Sequence, residues 1–142
     1  MAIMEKQQLE ARIAEALDKH RIGAFATVEG GRPKIRYMAV FHEGLNIYLA
    51  TDRKTHKVEE LRTNPAISLL LGYDGEQPSQ IVEIEGTADI TKDNALRGRL
   101  WNERLRRWFN GPDDPDYVIL AIAPAEIHYF DEASKQQVWK PK

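Results

Sequence analysis

The opening segment EKQQLEARIAEALDKH spaces Leu9, Ile13, Ala16 and Leu17 at intervals of three and four, with charges between them. That period predicts an amphipathic helix over about residues 3–20, closing near His20–Gly23. Past Gly23 the period changes to two. In "GAFATVEGGRPKIRYMAVFHEGLNIYLAT", Gly30–Gly31 and then Gly44 are positioned to turn the chain between strands. On the second strand Ile35, Tyr37, Ala39 and Phe41 share one face, and Arg36, Met38, Val40 and His42 the other. On the third, Leu45, Ile47 and Leu49 alternate with Asn46, Tyr48 and Ala50. An antiparallel three-strand meander is expected.

A short helix is expected over about Thr55–Arg62, stopped by Asn64-Pro65. "AISLLLGY" is apolar almost throughout and reads as a strand buried on both faces, and "GYDGEQPS" after it as a loop. In "IVEIEGTADI", Val82, Ile84, Gly86, Ala88 and Ile90 face in while Glu83, Glu85 and Asp89 face out, with Gly86 marking a bulge or a sharp bend that helps close a barrel. A single helix "KDNALRGRLWNERLRRWF", a loop "NGPDDPD", a strand "YVILAIAP", a weaker strand "EIHYF" and a polar tail over 131–142 complete the chain. In that helix Leu96, Leu100, Trp101, Leu105 and Trp108 recur at helical spacing, so they are expected to pack on the barrel and leave the arginines solvated. Strands in runs favour a mainly β, α+β architecture. The expectation is one antiparallel barrel domain over 1–142, with its barrel at about 23–130 and helices appended.

Composition narrows the class. With 142 residues, 42% hydrophobic and 30% charged, the chain has the profile of an ordinary globular domain. There are no cysteines, so disulfides and thiol chemistry are excluded. No apolar run approaches the roughly 18 residues of a membrane span, and Met1–Glu10 has no signal-peptide core, so a cytoplasmic location is expected. A net charge of −2 argues against a dedicated nucleic-acid binder. Arginines at 97, 99, 104, 106 and 107 among Trp101, Trp108 and Phe109 allow an RNA reading, but the helical spacing favours packing. His20, His42, His56 and His128 show no metal-ligand spacing. His42-Glu43 precedes a turn and is expected in solvent.

The chemistry concentrates at "ATDRKTHKVEEL", residues 50–61, where three cations and two threonines meet a strand-to-helix junction. With Thr55 as N-cap, the free amides of His56, Lys57 and Val58 converge on one point. A helix start contributes only about 0.3–1 kcal/mol toward an anion. A phosphate therefore needs cations as well, at roughly 1.5–3 kcal/mol for each charge-assisted bond. Lys57 is local, and Arg36 stands on the neighbouring strand. The readings of Arg36 stay open: a phosphate ligand, a structural partner for one of the many glutamates, or a side chain snorkelling to solvent.

At these residues the chain resembles the FMN-binding split barrels related to pyridoxamine 5′-phosphate oxidase, and within them the general stress protein branch. The resemblance runs from about Gly23 to Tyr129. It is carried by "AFATVEGGRPKIRYMAVFHEG", "IYLATDRKTHKVEELRTNPAISLLLGYDGE", "VEIEGTADI" and "LWNERLRRWFNGPDDPDYVILAI". It implies a six-stranded split barrel that forms a homodimer, with FMN in each of two interface clefts. Arg36 matches the family's strand arginine. Thr51, beside Ala50, matches the threonine that closes the third strand, and Thr55, His56 and Lys57 match a serine–arginine–lysine triplet. Tyr37, Met38 and Ala39 would run along the flavin ring, and Trp108 or Trp101 would wall the cleft. FAD or the deazaflavin F420 would suit the same cleft, and related proteins of this fold bind haem.

Three departures stand out. His56 replaces an arginine, Phe41 replaces a lysine, and the tail "FDEASKQQVWKPK" lacks the oxidases' arginine-containing signature, so vitamin B6 oxidation is not implied. No catalytic acid, base or nucleophile is identified. The resemblance implies an FMN-dependent oxidoreductase acting on a small molecule, with an electron donor such as NAD(P)H. The alternative is a flavin-binding protein or sensor without turnover.

Overall fold

The computed structural model describes residues 4–73, 75 and 80–142. Its elements are α1 (Lys6–Lys19), β1 (Ile22–Glu29), β2 (Arg32–Glu43), β3 (Asn46–Asp52), α2 (His56–Thr63), β4 (Ala66–Gly72), β5 (Gln80–Thr91), α3 (Asn94–Leu100), a 3-10 turn (Glu103–Arg107), β6 (Tyr117–Asp131) and β7 (Lys135–Trp139). The strands run in the order β3-β2-β1-β4-β5-β6, and β3 pairs with β6, which closes a six-stranded antiparallel barrel. The strand β7 adds to β6 outside that closure.

Alternation builds the barrel interior. Phe25, Ile47, Leu49, Leu69, Ile84, Leu120, Ile127 and Tyr129 are fully buried there. Each such apolar side chain contributes about 1.5–3 kcal/mol relative to exposure. The α1 stripe of Leu9, Ile13, Ala16 and Leu17 joins the same core, so this helix plugs the barrel. Gly30 and Gly31 both take positive φ, +61° and +77°, the signature of a two-residue hairpin turn whose twist matches its strands. That turn sets β1 against β2 so that Phe25 faces Arg36 and Thr27 faces Lys34.

Gly86 sits at a register shift between β5 and β6. Gly86 faces Pro124 while Glu85 faces Glu126, which leaves Ala125 as the extra residue on β6. A Cβ on Gly86 would lie 2.1 Å from the Ala123 carbonyl oxygen, so only glycine permits this close approach.

Four expectations change. The strand β4 is buried on one face only: Ile67, Leu69 and Leu71 point in, whereas Leu70 is 47% exposed on the outer wall. "YVILAIAP" and "EIHYF" form the one strand β6, because the bulge absorbs Pro124 without ending the ladder. The long helix breaks into α3 and the 3-10 turn, with Trp101 and Asn102 extended between them. The Asn102 side chain accepts from the Arg104 amide at 2.9 Å, and the break lets Leu100, Leu105 and Phe109 reach a second core cluster with Tyr117 and Ile119. Finally, the polar tail pairs with β6 as β7. Only Gln137 and Trp139 face in, and the Trp139 indole donates to Glu10 at 2.7 Å. The expected loop over 72–79 falls mostly outside the described residues.

One seam stays open. Over Arg32–Ala39, β2 pairs with β1 alone, and it meets β3 only through Val40–Glu43. Over Ala50–Asp52, β3 pairs with β6 alone. The two strands therefore part beyond Val40 and Leu49, and α2 begins just past the end of β3.

Candidate functional site

The open seam gathers most of the residues singled out from the sequence. Arg36, Tyr37, Met38 and Ala39 edge it on the β2 side, Ala50 and Thr51 on the β3 side, and Thr55, His56 and Lys57 follow at its end. Because each strand pairs on one side only here, these backbone edges have no ladder partner across the gap.

The residue types sort by face. Arg36 and Met38 turn inward and are partly buried, Met38 against the main core. Tyr37 points outward at 81% exposure, beside Ile35 at 71%. Ala39 is exposed, Ala50 rests against the second core cluster, and Thr51 is buried. His56 is exposed.

The cations at residues 53–57 divide. Arg53 and Lys54 both fold back onto Asp116 before β6, at 2.8 and 3.0 Å. Lys57 does not join them. It is half-buried, and its amine donates to the Thr55 hydroxyl at 3.3 Å. Burial first, then the nearby positive charge of Arg36, pushes the Lys57 amine below its ordinary range, while Glu29 and Asp52 act in the opposite direction. Thr55 occupies the N-cap position, but its hydroxyl makes no capping bond. It donates instead to the Asp52 carbonyl at 2.9 Å, because the chain turns sharply there and Lys54 N–H also bonds the Asp52 carboxylate. The side chain that was expected to cap thus leaves the first amides of α2 unclaimed.

Arg36 has partners on β1. Its Nη1 donates to the Thr27 hydroxyl at 2.8 Å and to the Phe25 carbonyl at 3.4 Å, and its Nη2 pairs with the Glu29 carboxylate. The guanidinium also lies 6.0 Å from the Phe25 ring centroid. The Glu29 carboxyl is held below its ordinary value first by the Thr27 hydroxyl; burial opposes this, and Arg36 adds to the lowering. Neither Thr27 nor Glu29 stands out in the sequence. Only the register fixed by the Gly30–Gly31 turn reveals them as neighbours of Arg36.

Trp108 lies elsewhere. It is 65% exposed after the 3-10 turn, with Arg107 over its ring at 5.7 Å. It lines a cleft of about 750 Å³ with Phe41, His42, Arg99 and Trp101, and Ala39 joins that cleft to the open seam. His42 bonds Asp18 at 2.6 Å and the Gly44 carbonyl, so it is not paired with Glu43, which takes Arg99 instead. Arg97, expected in solvent, is buried with its guanidinium 5.2 Å from the Tyr117 ring, and it bonds Asn94 and the Asp114 carbonyl. Among the described residues no cluster of three or more His, Asp or Glu is placed to hold a metal, and no helix is long and apolar enough to cross a membrane.

A closed six-stranded barrel with one parted seam defines the class of the split-barrel proteins. Residues 9–131 match the Pyridoxamine 5′-phosphate oxidase family, and the chain belongs to it. The chain is 42% identical over 136 residues to General stress protein 26 of Bacillus subtilis (strain 168), covering 95% of this chain and 97% of that one. The solved General Stress Protein 26 from Bacillus anthracis str. Sterne superposes with a TM-score of 0.85 at 32% identity, covering 94% and 98% of the two chains. A protein related to general stress protein 26 from Clostridium acetobutylicum gives 0.79 at 26% identity, with 97% of each chain covered. The protein therefore falls in the general stress protein branch of a flavin-binding split-barrel superfamily. A heme binding protein from Mycobacterium smegmatis shares the fold alone, with a TM-score of 0.74 at 16% identity, covering 98% of this chain and 60% of that one.

Proposed function

We propose that this protein binds FMN along its parted seam and uses it to oxidise or reduce a small molecule, as a homodimer. The observation that carries this reading is that Arg36 on β2 and half-buried Lys57 just past β3 both lie at the end of two unpaired strand edges. The donor set fits a phosphate ester. Of the five N–H groups of Arg36, three have partners on β1, which leaves Nε–H and one Nη2–H. Lys57 has one long hydrogen bond for three N–H groups. The free amides at the start of α2 add to these cations.

Bound flavin would supply the electron transfer. The chain's part is to bind and orient. Arg36 and Lys57 hold the phosphate, Thr51 and Thr55 lend hydroxyls, and the backbone of Tyr37, Met38 and Ala39 meets the polar edge of the ring. His56, exposed, contributes little. The outward side chains of Ile35 and Tyr37 give β2 an apolar face suited to a second copy of the chain.

Freshly purified protein should carry the visible absorption of flavin, or take it up on titration with FMN; denaturation followed by mass measurement identifies FMN, FAD or F420. Failure to take up any of the three would end the reading. Rapid bleaching on mixing with NADH or NADPH supports an enzyme, and inertness to every donor favours a binder or sensor. Tyr37→Glu should shift a dimer toward monomer by light scattering. A wild-type monomer at working concentration would remove the dimer from the proposal.

A further inference from the structure

Arg36 faces the seam with a counter-ion already beside it. Glu29 is the last residue of β1, and its side chain is only 15% exposed. On the inward face of β1 it follows Phe25 and Thr27, both of which the barrel closes over. An acid there is costly to bury, and it is tolerated because Arg36 pairs with it and Thr27 donates to it at 2.8 Å.

The charges acting on Lys57 at this end of the seam are Arg36, Glu29 and Asp52. With Lys57 itself they sum to zero. Exposed Lys34 adds a charge on the Glu29 side that solvent screens. A phosphate dianion is attracted to Arg36 and Lys57, but it is also repelled by a carboxylate that shares the same guanidinium. Satisfying Arg36 does not require that carboxylate, since Thr27 and the Phe25 carbonyl accept from it too.

Resting on the phosphate reading above, we propose that Glu29 is a built-in competitor for Arg36. It lowers the affinity of the site for phosphate esters and so keeps the bound ligand exchangeable. Removing its charge while keeping its shape turns a balanced site into a cationic one.

Fluorescence titrations of the full chain with FMN and with riboflavin, which lacks the phosphate, test this. Glu29→Gln should bind FMN at least about tenfold more tightly than the wild type, with riboflavin within about twofold. Glu29→Asp, whose shorter side chain retreats from Arg36, serves as a second variant that keeps the charge, and it should gain less. The gain should vanish in an Arg36→Ala background, because it acts through that guanidinium. Unchanged or weaker FMN binding by Glu29→Gln, or an equal gain for riboflavin, would overturn the proposal.

A wild type that takes up no flavin would sink the cofactor reading alone. Glu29 is then tested with inorganic phosphate by thermal shift. Greater stabilisation of Glu29→Gln than of the wild type supports the competitor, and equal stabilisation refutes it. Circular dichroism of each variant confirms that it is folded.

Discussion

Two seams of the same barrel behave oppositely. The strand β5 pairs with β6 along Gln80–Thr91, through a bulge, with no break in the wall. The strands β2 and β3 hold together only at Val40–Glu43 and Asn46–Leu49 and then part. The closed seam is built from inward Val82, Ile84, Leu120 and Ile127, all fully buried. The parted one is edged by an arginine and followed by a half-buried lysine. A continuous ladder satisfies its own backbone and rewards apolar packing. An interrupted ladder leaves donors and acceptors for something else to satisfy. The first seam buries apolar side chains continuously, and the second leaves backbone edges without a ladder partner.

The largest expected effect breaks the closed seam. Gly86→Ala drives a Cβ into the Ala123 carbonyl at 2.1 Å, where backbone on both sides must move. It should cost about 3 kcal/mol or more in chemical denaturation. A cost under about 0.5 kcal/mol would show that the bulge adapts freely.

A smaller effect sharpens the role of the parted seam. Arg36→Ala and Lys57→Ala should each weaken FMN by about 1–3 kcal/mol and leave riboflavin nearly unchanged. Equal losses for both flavins would place the phosphate elsewhere. Lys57→Ala should not approach Gly86→Ala in its effect on folding.

The smallest effect is in acid. Glu29 at the parted seam is held below 4.5 by Thr27 and Arg36. Asp131, at the end of β6, is held below 3.8: burial raises it, but the Ser134 hydroxyl and amide, the Tyr129 hydroxyl and Arg12 together outweigh that. Folding thus favours the ionised form of each. Their stabilisation is complete above the ordinary values and is lost as pH falls through the lower folded-state values. The thermal midpoint of the wild type should therefore drop faster than that of Glu29→Gln below about pH 4.5, by roughly a few degrees. Parallel acid limbs would mean that Glu29 is as free in the folded chain as in the unfolded one.

Much of the barrel was legible because period-two alternation is local. The inward set of Val82, Ile84 and Ala88 and the face shared by Arg36, Met38 and Val40 need only the strand's own geometry. The tail over 131–142 hid a strand because two inward residues among polar ones make too weak a pattern. Trp108 is exposed because the break at Trp101–Asn102 takes the rest of the segment out of one helical period. Arg97, upstream of the break, is buried by its contacts with the Tyr117 ring and the Asp114 carbonyl. At the candidate site, the sequence marked Lys57 and Arg36 as candidate ligands for one anion. The pairing of Arg53 and Lys54 was not legible, since Asp116 lies 63 residues from Arg53.

The amino-acid order alone determined which residues line a barrel wall, where the glycines turn it, and that basic and hydroxyl groups crowd the start of α2. Those properties follow from side-chain chemistry and from periods of two and 3.6 residues. Only the closed barrel decided that β2 and β3 part beside Arg36, that Glu29 reaches the same guanidinium, and that Lys57 stays apart from Asp116. Strand register and burial are fixed by the whole chain folding at once, and electrostatic partners follow from them.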